Sequence, residues 1–351
     1  MAGGTLKTAA PAGGQVRVPA VEVKLGGSDA AEALGCSIQK VSVMLSAQEA
    51  SQAEIVLWDC YDIKSHSLSA GLKSGLELGA KVEVAMGYQS DLSTVFCGYM
   101  ESVSLDMTEE DAYVLGVRAF DVIKLLKENV RCRIWKGTSH SDLVSEILDD
   151  YSWLCGKEVG STAQLEAEED WWQQESDYDF IANELAGVHN PDYKFYASDG
   201  TVYFKKQAEE GPVMTLEPGD GITDFHASWH YVNQMIKIHG ISGTHEAYLG
   251  EAEAVGEHLC KSAGQGARFQ VMPQAGTQDK ADAVAAALAK KEEARAVEIS
   301  LSTVGAPALK PGKYLKLSGM DSWVCGTYLI EEAEHVMDQD GYRTTVKIGR
   351  V

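Results

Sequence analysis

Residues 95–103 read VFCGYMESV, residues 324–330 read VCGTYLI, and these two stretches decide the predicted fold. Each follows a short strand-like segment, at 79–84 in the first case and at 311–317 in the second. Each precedes an acidic turn and a further strand that begins near a tyrosine, Tyr113 or Tyr342. An internal repeat of this kind predicts two related β-domains. The alternative is that any two antiparallel hairpins share these features.

Short apolar alternations surround both copies of the repeat. They occur at 21–25, 41–45, 55–58, 82–86 and 113–119, with turn residues between them. Val297, Ile299 and Leu301 alternate in the same way near the C-terminus. Short strands at short intervals are typical of a β-barrel or sandwich rather than of βαβ units.

The pattern changes near residue 121. Apolar residues at helical spacing predict helices at 121–128, at 141–151 and from Ser176 to Ala186. Two aromatic-rich strands then flank an Asp-Gly pair within 194–204, which is a strong hairpin signal. This stretch therefore predicts a small α+β module.

We predict a mainly β fold with an α+β insertion, in which two related β-barrel-like tube domains flank the small α+β module. An alanine-rich helix is expected late in the chain, acidic at its start and basic near its end, as the helix dipole favours. The predicted parts are a flexible N-terminal arm at 1–15, a first barrel-like domain at 16–124, the module at 125–213, and a second barrel-like domain at 214–351 with the helix at 279–295.

The composition narrows the range of functions. The formal net charge is -22. Nucleic-acid binding needs clustered Lys and Arg to neutralise phosphates, so we expect no specific nucleic-acid binding. Anionic membrane surfaces are equally unsuited to such a chain. With no apolar run of about 18 residues and no apolar signal core at the N-terminus, we expect no membrane insertion and a protein made in the cytoplasm.

The seven cysteines are widely spaced, and no CxxC pair occurs among them. Their odd number and their spacing argue against a disulfide framework and against a zinc site. We expect them to be mostly buried small apolar residues in a reducing compartment.

The motifs that carry catalytic chemistry are weak in this chain. His226 and His230 are four apart, which is a metal-ligand spacing on a helix, but their surroundings look like a strand and no third ligand is evident. Acidic residues at 166–170 suggest glycan hydrolysis, although adjacent like charges favour a solvated loop. No nucleophile elbow or Walker loop occurs. We predict no enzyme activity, no metal and no cofactor.

Two adjacent tryptophans, Trp171 and Trp172, stand beside the acidic residues. One interpretation is that they anchor the core of the module. The other is that they anchor a protein interface, where Trp is favoured. Both interpretations remain open at the level of sequence.

Several stretches together resemble the late-control-D baseplate-hub family of contractile tails, and the N-terminal hub part of VgrG spike proteins. The sharpest is QESDYDF at 174–180; the others are FCGY at 96–99, WKGTS at 135–139, the hairpin at 195–204, and the pair PG at 311–312 with CGTY at 325–328. The resemblance covers most of residues 40–350, and its strength lies in the order of the matches.

The resemblance implies a structural hub of a contractile phage tail, a bacteriocin or another phage-like injection particle. It implies a homotrimer that joins a six-fold tail tube to a three-fold spike in the baseplate. The partners that the resemblance implies are a trimeric spike protein, the tail tube or tube-initiator protein, the tape measure and other baseplate proteins. The spike is expected to be a separate protein, since the chain ends after the second barrel. The alternatives are a tail-associated peptidoglycan hydrolase and a carbohydrate-binding β-protein.

Overall fold

A computed structural model shows a protein built mainly of β-strands. It describes residues 4–5, 18–62, 64–68, 72, 75–107, 113–136, 139–164, 171–190, 192–206, 211–230, 235–241, 247–253, 267–271, several residues between 278 and 289, and 297–350.

The described residues of the N-terminal part include ten strands. They are β1 (Gly4–Thr5), β2 (Pro19–Leu25), β3 (Ser28–Asp29), β4 (Ser37–Ser46), β5 (Gln52–Trp58), β6 (Tyr61–Asp62), β7 (Ser67–Leu68), β8 (Lys81–Tyr88), β9 (Asp91–Asp106) and β10 (Val114–Phe120).

The middle part mixes helices and strands. Its elements are α1 (Val122–Glu128), β11 (Arg133–Trp135), α2 (His140–Asp149), β12 (Gly156–Val159), β13 (Trp171–Gln173), α3 (Asp177–Asp179) with a π-helical continuation (Phe180–His189), β14 (Tyr193–Ser198) and β15 (Thr201–Lys206).

The C-terminal part returns to strands. They are β16 (Met214–Pro218), β17 (Gly221–Trp229), β18 (Met235–Ile241), β19 (Ala247–Glu253), β20 (Ala267–Val271), β21 (Val297–Val304), β22 (Tyr314–Leu317), β23 (Gly326–Asp338) and β24 (Gly341–Arg350).

Alternating apolar residues explain why these segments are strands with one buried face. In β5, Ala53, Ile55 and Leu57 are buried while the residues between them face outward. Side chains in a strand point to opposite faces in turn, so this period places one row in the core. The buried rows of both β-rich parts join in one apolar cluster.

Six C-terminal strands close into a barrel. Hydrogen bonding follows the order β16, β17, β21, β24, β23, β22, and β22 pairs again with β16. The N-terminal strands follow the order β2, β8, β9, β10, β5, β4. If β2 is matched to β16 and β4 to β17, the two strand orders are the same, which makes the two barrel-like parts related, as predicted.

The positions of the β-bulges match as well. The register between β9 and β10 skips Glu101, and the register between β23 and β24 skips Glu331. The register between β4 and β5 skips Gln39, and the register between β17 and β21 skips Thr223. Bulges are specific local features of a fold, so their agreement in two strand pairs aligns the barrels residue by residue.

This alignment corrects one detail of the sequence repeat. Counted from the matching bulges at Glu101 and Glu331, Cys97 corresponds to Thr327, two residues beyond Cys325. The Cys-Gly pairs are therefore similar in sequence but do not occupy equivalent positions. The first strand also differs, because β2 runs antiparallel to β8 whereas β16 runs parallel to β22.

The middle part has its own apolar core. Leu143, Ile147, Phe180 and Phe204 lie in it, and Val122 from α1 packs with them. Because Val122 precedes residue 125, the first helix contributes to this core and not only to the first barrel. We keep the bounds 16–124, 125–213 and 214–351 as a proposal for the division into domains.

The predicted hairpin at 194–204 is present as β14 and β15. Asp199 and Gly200 join these strands with φ values of 54° and 73°. Two consecutive residues at positive φ are what a tight hairpin turn of this type requires, which explains the Asp-Gly pair.

The structure agrees only in part with the predictions for the N-terminal arm, the late helix and the remaining strands. Gly4–Thr5, within the predicted flexible arm, pairs with Met214–Thr215, so this part of the arm is a strand; the rest of residues 1–15 lies outside the described residues. The described residues between 281 and 289 are helical, in agreement with the helix predicted at 279–295, whose remainder is not described. A three-stranded sheet of β19, β18 and β20 was not predicted as such.

Over the part of the chain that is described, no helix combines the length and apolar character that a membrane crossing requires.

Candidate assembly surface

The two barrels are joined by one pair of strands, β4 and β23, which we call the internal junction. These strands run antiparallel, with Val43 opposite His335 and Met44 opposite Glu334. The second half of β23 thus pairs with β24 on one side and with β4 on the other. The junction makes a continuous sheet of the two barrels.

Strand pairing at the internal junction buries its inward-facing side chains. On β4, Val41, Val43 and Leu45 are at most 6% exposed. On β23, their neighbours Ala333, His335 and Met337 are at most 8% exposed. Covering both strand edges therefore removes this whole row from water.

The equivalent strand edges of the other pair, β9 and β17, have no such cover among the described strands. Over Ser102–Asp106, β9 pairs with β10 alone, and over Phe225–Trp229, β17 pairs with β21 alone. By the bulge alignment, Val103, Leu105 and Met107 correspond to Ala333, His335 and Met337, while Phe225, Ala227 and Trp229 correspond to Val41, Val43 and Leu45.

Exposure differs sharply between these equivalent positions. Leu105 is 44% exposed and Met107 68%, whereas Phe225 is 37% and Trp229 38% exposed. Apolar side chains on two open strand edges are an aggregation hazard unless another chain covers them. The candidate assembly surface consists of these two edges, β9 from residue 102 to its end with the following Met107, and β17 from residue 225 to its end with the following His230.

A buried histidine sits at the internal junction. The Nε2 of His335 lies 3.0 Å from the carbonyl oxygen of Leu309, so it carries the proton and donates it. Nδ1 then accepts from the Tyr342 hydroxyl at 2.9 Å. Burial lowers the pKa of His335 to about 4, because the charged form would lose its hydration.

One lysine contacts the middle module and both barrels, in addition to other contacts between the module and the first barrel, such as the Tyr178 hydroxyl donating to the carbonyl oxygen of Gln48 at 2.7 Å. Lys310, 9% exposed, donates to Asp199 Oδ1 and to the carbonyl oxygen of Thr94, each at 2.6 Å. Asp199 belongs to the hairpin turn of the module, Thr94 to β9, and Lys310 to the loop before β22. A single side chain therefore connects the module, the first barrel and the second barrel.

The module is stabilised internally around a buried carboxylate. Asp177 is fully buried and accepts from the Tyr151 hydroxyl at 2.6 Å, from Arg131 Nε at 3.0 Å and from Gln173 Nε2 at 2.8 Å. A buried charge needs such partners to be tolerated. Asp177 lies in the sequence QESDYDF, so that motif is explained by structure rather than by catalysis.

The two tryptophans lie on β13 and differ in exposure. The ring of Trp171 packs edge-on against His189 and His140, with centroids 4.5 Å and 4.7 Å apart. Trp172 is 61% exposed. Trp171 thus fits the core interpretation, and Trp172 has the exposure that an interface residue needs; its role in an interface stays a prediction.

The other candidate chemistry does not converge on a site. His226 and His230 lie on β17 or directly after it and not on a helix, with His230 Nε2 3.0 Å from the Ser228 hydroxyl. Within the described part of the chain, no three His, Cys, Asp or Glu residues cluster as a metal site would require. The acidic residues at 166–170 lie outside the described residues.

The cysteines fit the expectation only in part. Cys36 and Cys60 are buried, Cys97, Cys155 and Cys325 are partly buried, and Cys132 is exposed. All six are free thiols, and the seventh, at 260, lies outside the described residues.

Sequence reasoning missed the two open edges. A signal was present, since Phe225, Ala227 and Trp229 repeat the alternation of Val41, Val43 and Leu45. What the sequence lacked was the bulge register, which shows that these two rows are equivalent.

Known structures share this fold. A tail protein from Neisseria meningitidis MC58 superposes with a TM-score of 0.70 at 12% identity, with 95% of this chain and 97% of that chain covered. The tail protein of prophage MuSo2 from Shewanella oneidensis gives a TM-score of 0.71 at 10% identity, covering 95% and 98%. An E. coli component of the type VI secretion system, described as structurally similar to bacteriophage T4 tail proteins, gives 0.56 at 13% identity, covering 90% and 74%.

The chain thus shares its fold with phage tail proteins and with a type VI secretion component. Residues 15–339 match the model of the Alg8 N-terminal domain family, and the chain belongs to that family. No protein with a curated description matches it.

Proposed function

We propose that the chain is the structural, non-catalytic hub of a contractile phage tail or a phage-like injection particle, of the late-control-D and VgrG-hub type. In this role it is a homotrimer in the baseplate, assembled in the bacterial cytoplasm. It joins a six-fold tail tube or tube-initiator protein to a separate three-fold spike, next to the tape measure and other baseplate proteins.

The observation that carries this proposal is the pair of related barrels with matching bulges. Three chains with two equivalent barrels each supply six similar units, which is what a six-fold partner requires. The α+β module occurs once per chain, so three copies of it can present a three-fold surface. One gene thereby supplies both symmetries.

The fold also supports a role in assembly through its open strand edges. Two edges with apolar side chains are typical of a subunit that other chains complete. The likeness to tail proteins supports the location in a tail particle.

The oligomeric state in solution tests the proposal. Each copy carries a formal charge of -22, so like-charge repulsion opposes association. Screening by moderate salt shortens the range of that repulsion, to about 10 Å at 0.1 M ionic strength. Light scattering coupled to gel filtration should therefore show a trimer whose fraction rises with salt. A monomer at every salt and protein concentration would contradict the proposal.

A further inference from the structure

We propose that the trimer is closed by antiparallel pairing of β9 in one copy with β17 in the next, in the register of the internal junction. This inference rests on the proposed trimer and adds the contact that builds it. The occupant of each open edge is therefore a second copy of this chain.

The internal junction supplies the template for this contact. There, β23 pairs with β4, with Glu334 opposite Met44 and Met337 opposite Val41. In the bulge alignment β9 takes the place of β23, and β17 takes the place of β4. Transferring the register places Ser104 of one copy opposite Ser228 of the next, and Met107 opposite Phe225.

Burial supports the same assignment. At the internal junction, the inward row is at most 8% exposed on either strand. At the open edges, Leu105, Met107, Phe225 and Trp229 are 37–68% exposed. The proposed contact sets Leu105 opposite Ala227 and Met107 opposite Phe225, so one apolar row would cover the other.

The polar face of the contact distinguishes this register from its neighbours. In the proposed register, Asp106 stands opposite His226, which is a compatible pair. A shift of two residues in one direction sets Asp106 opposite Asp224, and like charges directly opposite destabilise a sheet. A shift of one residue would turn the apolar row outward.

The contact joins two different edges, so it is head-to-tail. Such contacts build a ring when the rotation closes and an open filament when it does not. In the ring, internal junctions and junctions between copies alternate, which makes the six barrels nearly equivalent. The proposal therefore explains how the chain's own duplication leads to closure.

Disulfide trapping tests the register. The full chain with Cys132→Ser as background receives Ser104→Cys and Ser228→Cys, and mild oxidation should link copies into covalent dimers and trimers on a non-reducing gel. Directly opposite residues in a sheet lie within the Cα separation that a disulfide accepts. Mass spectrometry should identify the peptide pair that contains positions 104 and 228.

Two matched variants control for reactivity and for the template. Ser102→Cys with Ser228→Cys moves one thiol by two residues on the same face, and linkage should fall by roughly tenfold. Met44→Cys with Glu334→Cys sits at the internal junction and should form a disulfide within one chain, with no increase in mass on the gel.

The outcomes separate this inference from the proposed function. A trimer in solution whose linkage favours the 102 and 228 pair, or neither pair, would overturn the β9–β17 register and leave the hub proposal standing. Absence of any oligomer before oxidation, with the internal control formed, would overturn both.

Discussion

At the residue scale, His335 shows how a single side chain is fixed at the joint between the barrels. Its two ring nitrogens face a carbonyl oxygen and a tyrosine hydroxyl, and the side chain is fully buried. In the neutral ring Nδ1 is an acceptor, with the Tyr342 and Thr344 hydroxyls at 2.9 Å and 3.1 Å, and a second proton on the ring would remove this acceptor. The buried site at the internal junction therefore favours the neutral form of His335.

We predict that acid weakens the fold through His335. Its folded pKa of about 4 is below the ordinary value of 6.5, so its contribution to stability is complete above about pH 6.5 and is lost as the pH falls toward 4. The free energy of unfolding can be measured with urea at pH 7 and at pH 4.5. Between these two pH values it should fall in the unmodified protein, and in a His335→Gln variant the fall should be smaller by about 2 kcal/mol. Equal decreases in both proteins would contradict this account.

At the element scale, local chemistry decided which strands and helices could be predicted. The Asp199–Gly200 turn specifies its hairpin without help from distant residues, and Ser139 and Ser176 cap α2 and α3 by accepting backbone N–H groups. The alternating strands of both barrels were equally readable.

The alignment of the two barrels and the two open edges could not be predicted from the sequence, because both depend on the register between strands that are distant in sequence. The repeated Cys-Gly pairs suggested an alignment that the bulges at Glu101 and Glu331 shift by two residues. Each copy of the pair is compatible with a strand, so no local signal distinguishes the two alignments. The open edges of β9 and β17 could not be predicted for the same reason. They are recognised as open only when β9 and β17 are compared with the equivalent strands β23 and β4, whose edges are paired.

We predict that a charge on the open edge of β17 prevents assembly without unfolding the chain. Phe225 is 37% exposed, so Phe225→Lys should cost the single chain little, whereas the copy-to-copy contact would lose an apolar residue and bury a charge. The association constant should fall by at least about tenfold, since fully burying one such side chain contributes about 1.5–3 kcal/mol. Light scattering measures the trimer fraction, and circular dichroism verifies the fold.

Val304→Lys is the matched control for this variant. Val304 is 46% exposed and lies at the end of β21, opposite Arg343 of β24, and is not on either open edge strand. Its replacement should leave the trimer intact. Loss of the trimer in both variants, or in neither, would show that β17 has no special part in assembly.

At the scale of the whole molecule, the duplicated barrel and the single module have different roles. The barrels repeat one strand order and are joined by β4 and β23 into one sheet. The module, held to both barrels by Lys310, interrupts that repeat once per chain. In the proposed trimer, six barrels would face the six-fold partner and three modules the three-fold partner.

The acidity of the chain suits such an assembly. A strongly negative ring would not hold passing nucleic acid, because phosphate binding depends on clustered positive charge. The same charge makes association dependent on salt, so purification at moderate ionic strength is the appropriate starting point for imaging.

Electron cryo-microscopy of the purified chain at moderate salt would image the proposed ring. We expect a three-fold ring of three chains that contains six barrels. Around this ring, internal β4–β23 junctions should alternate with β9–β17 junctions between copies. The three modules should lie on one side of that ring. A particle with another number of chains, or a ring whose β9 and β17 edges face solvent, would contradict it.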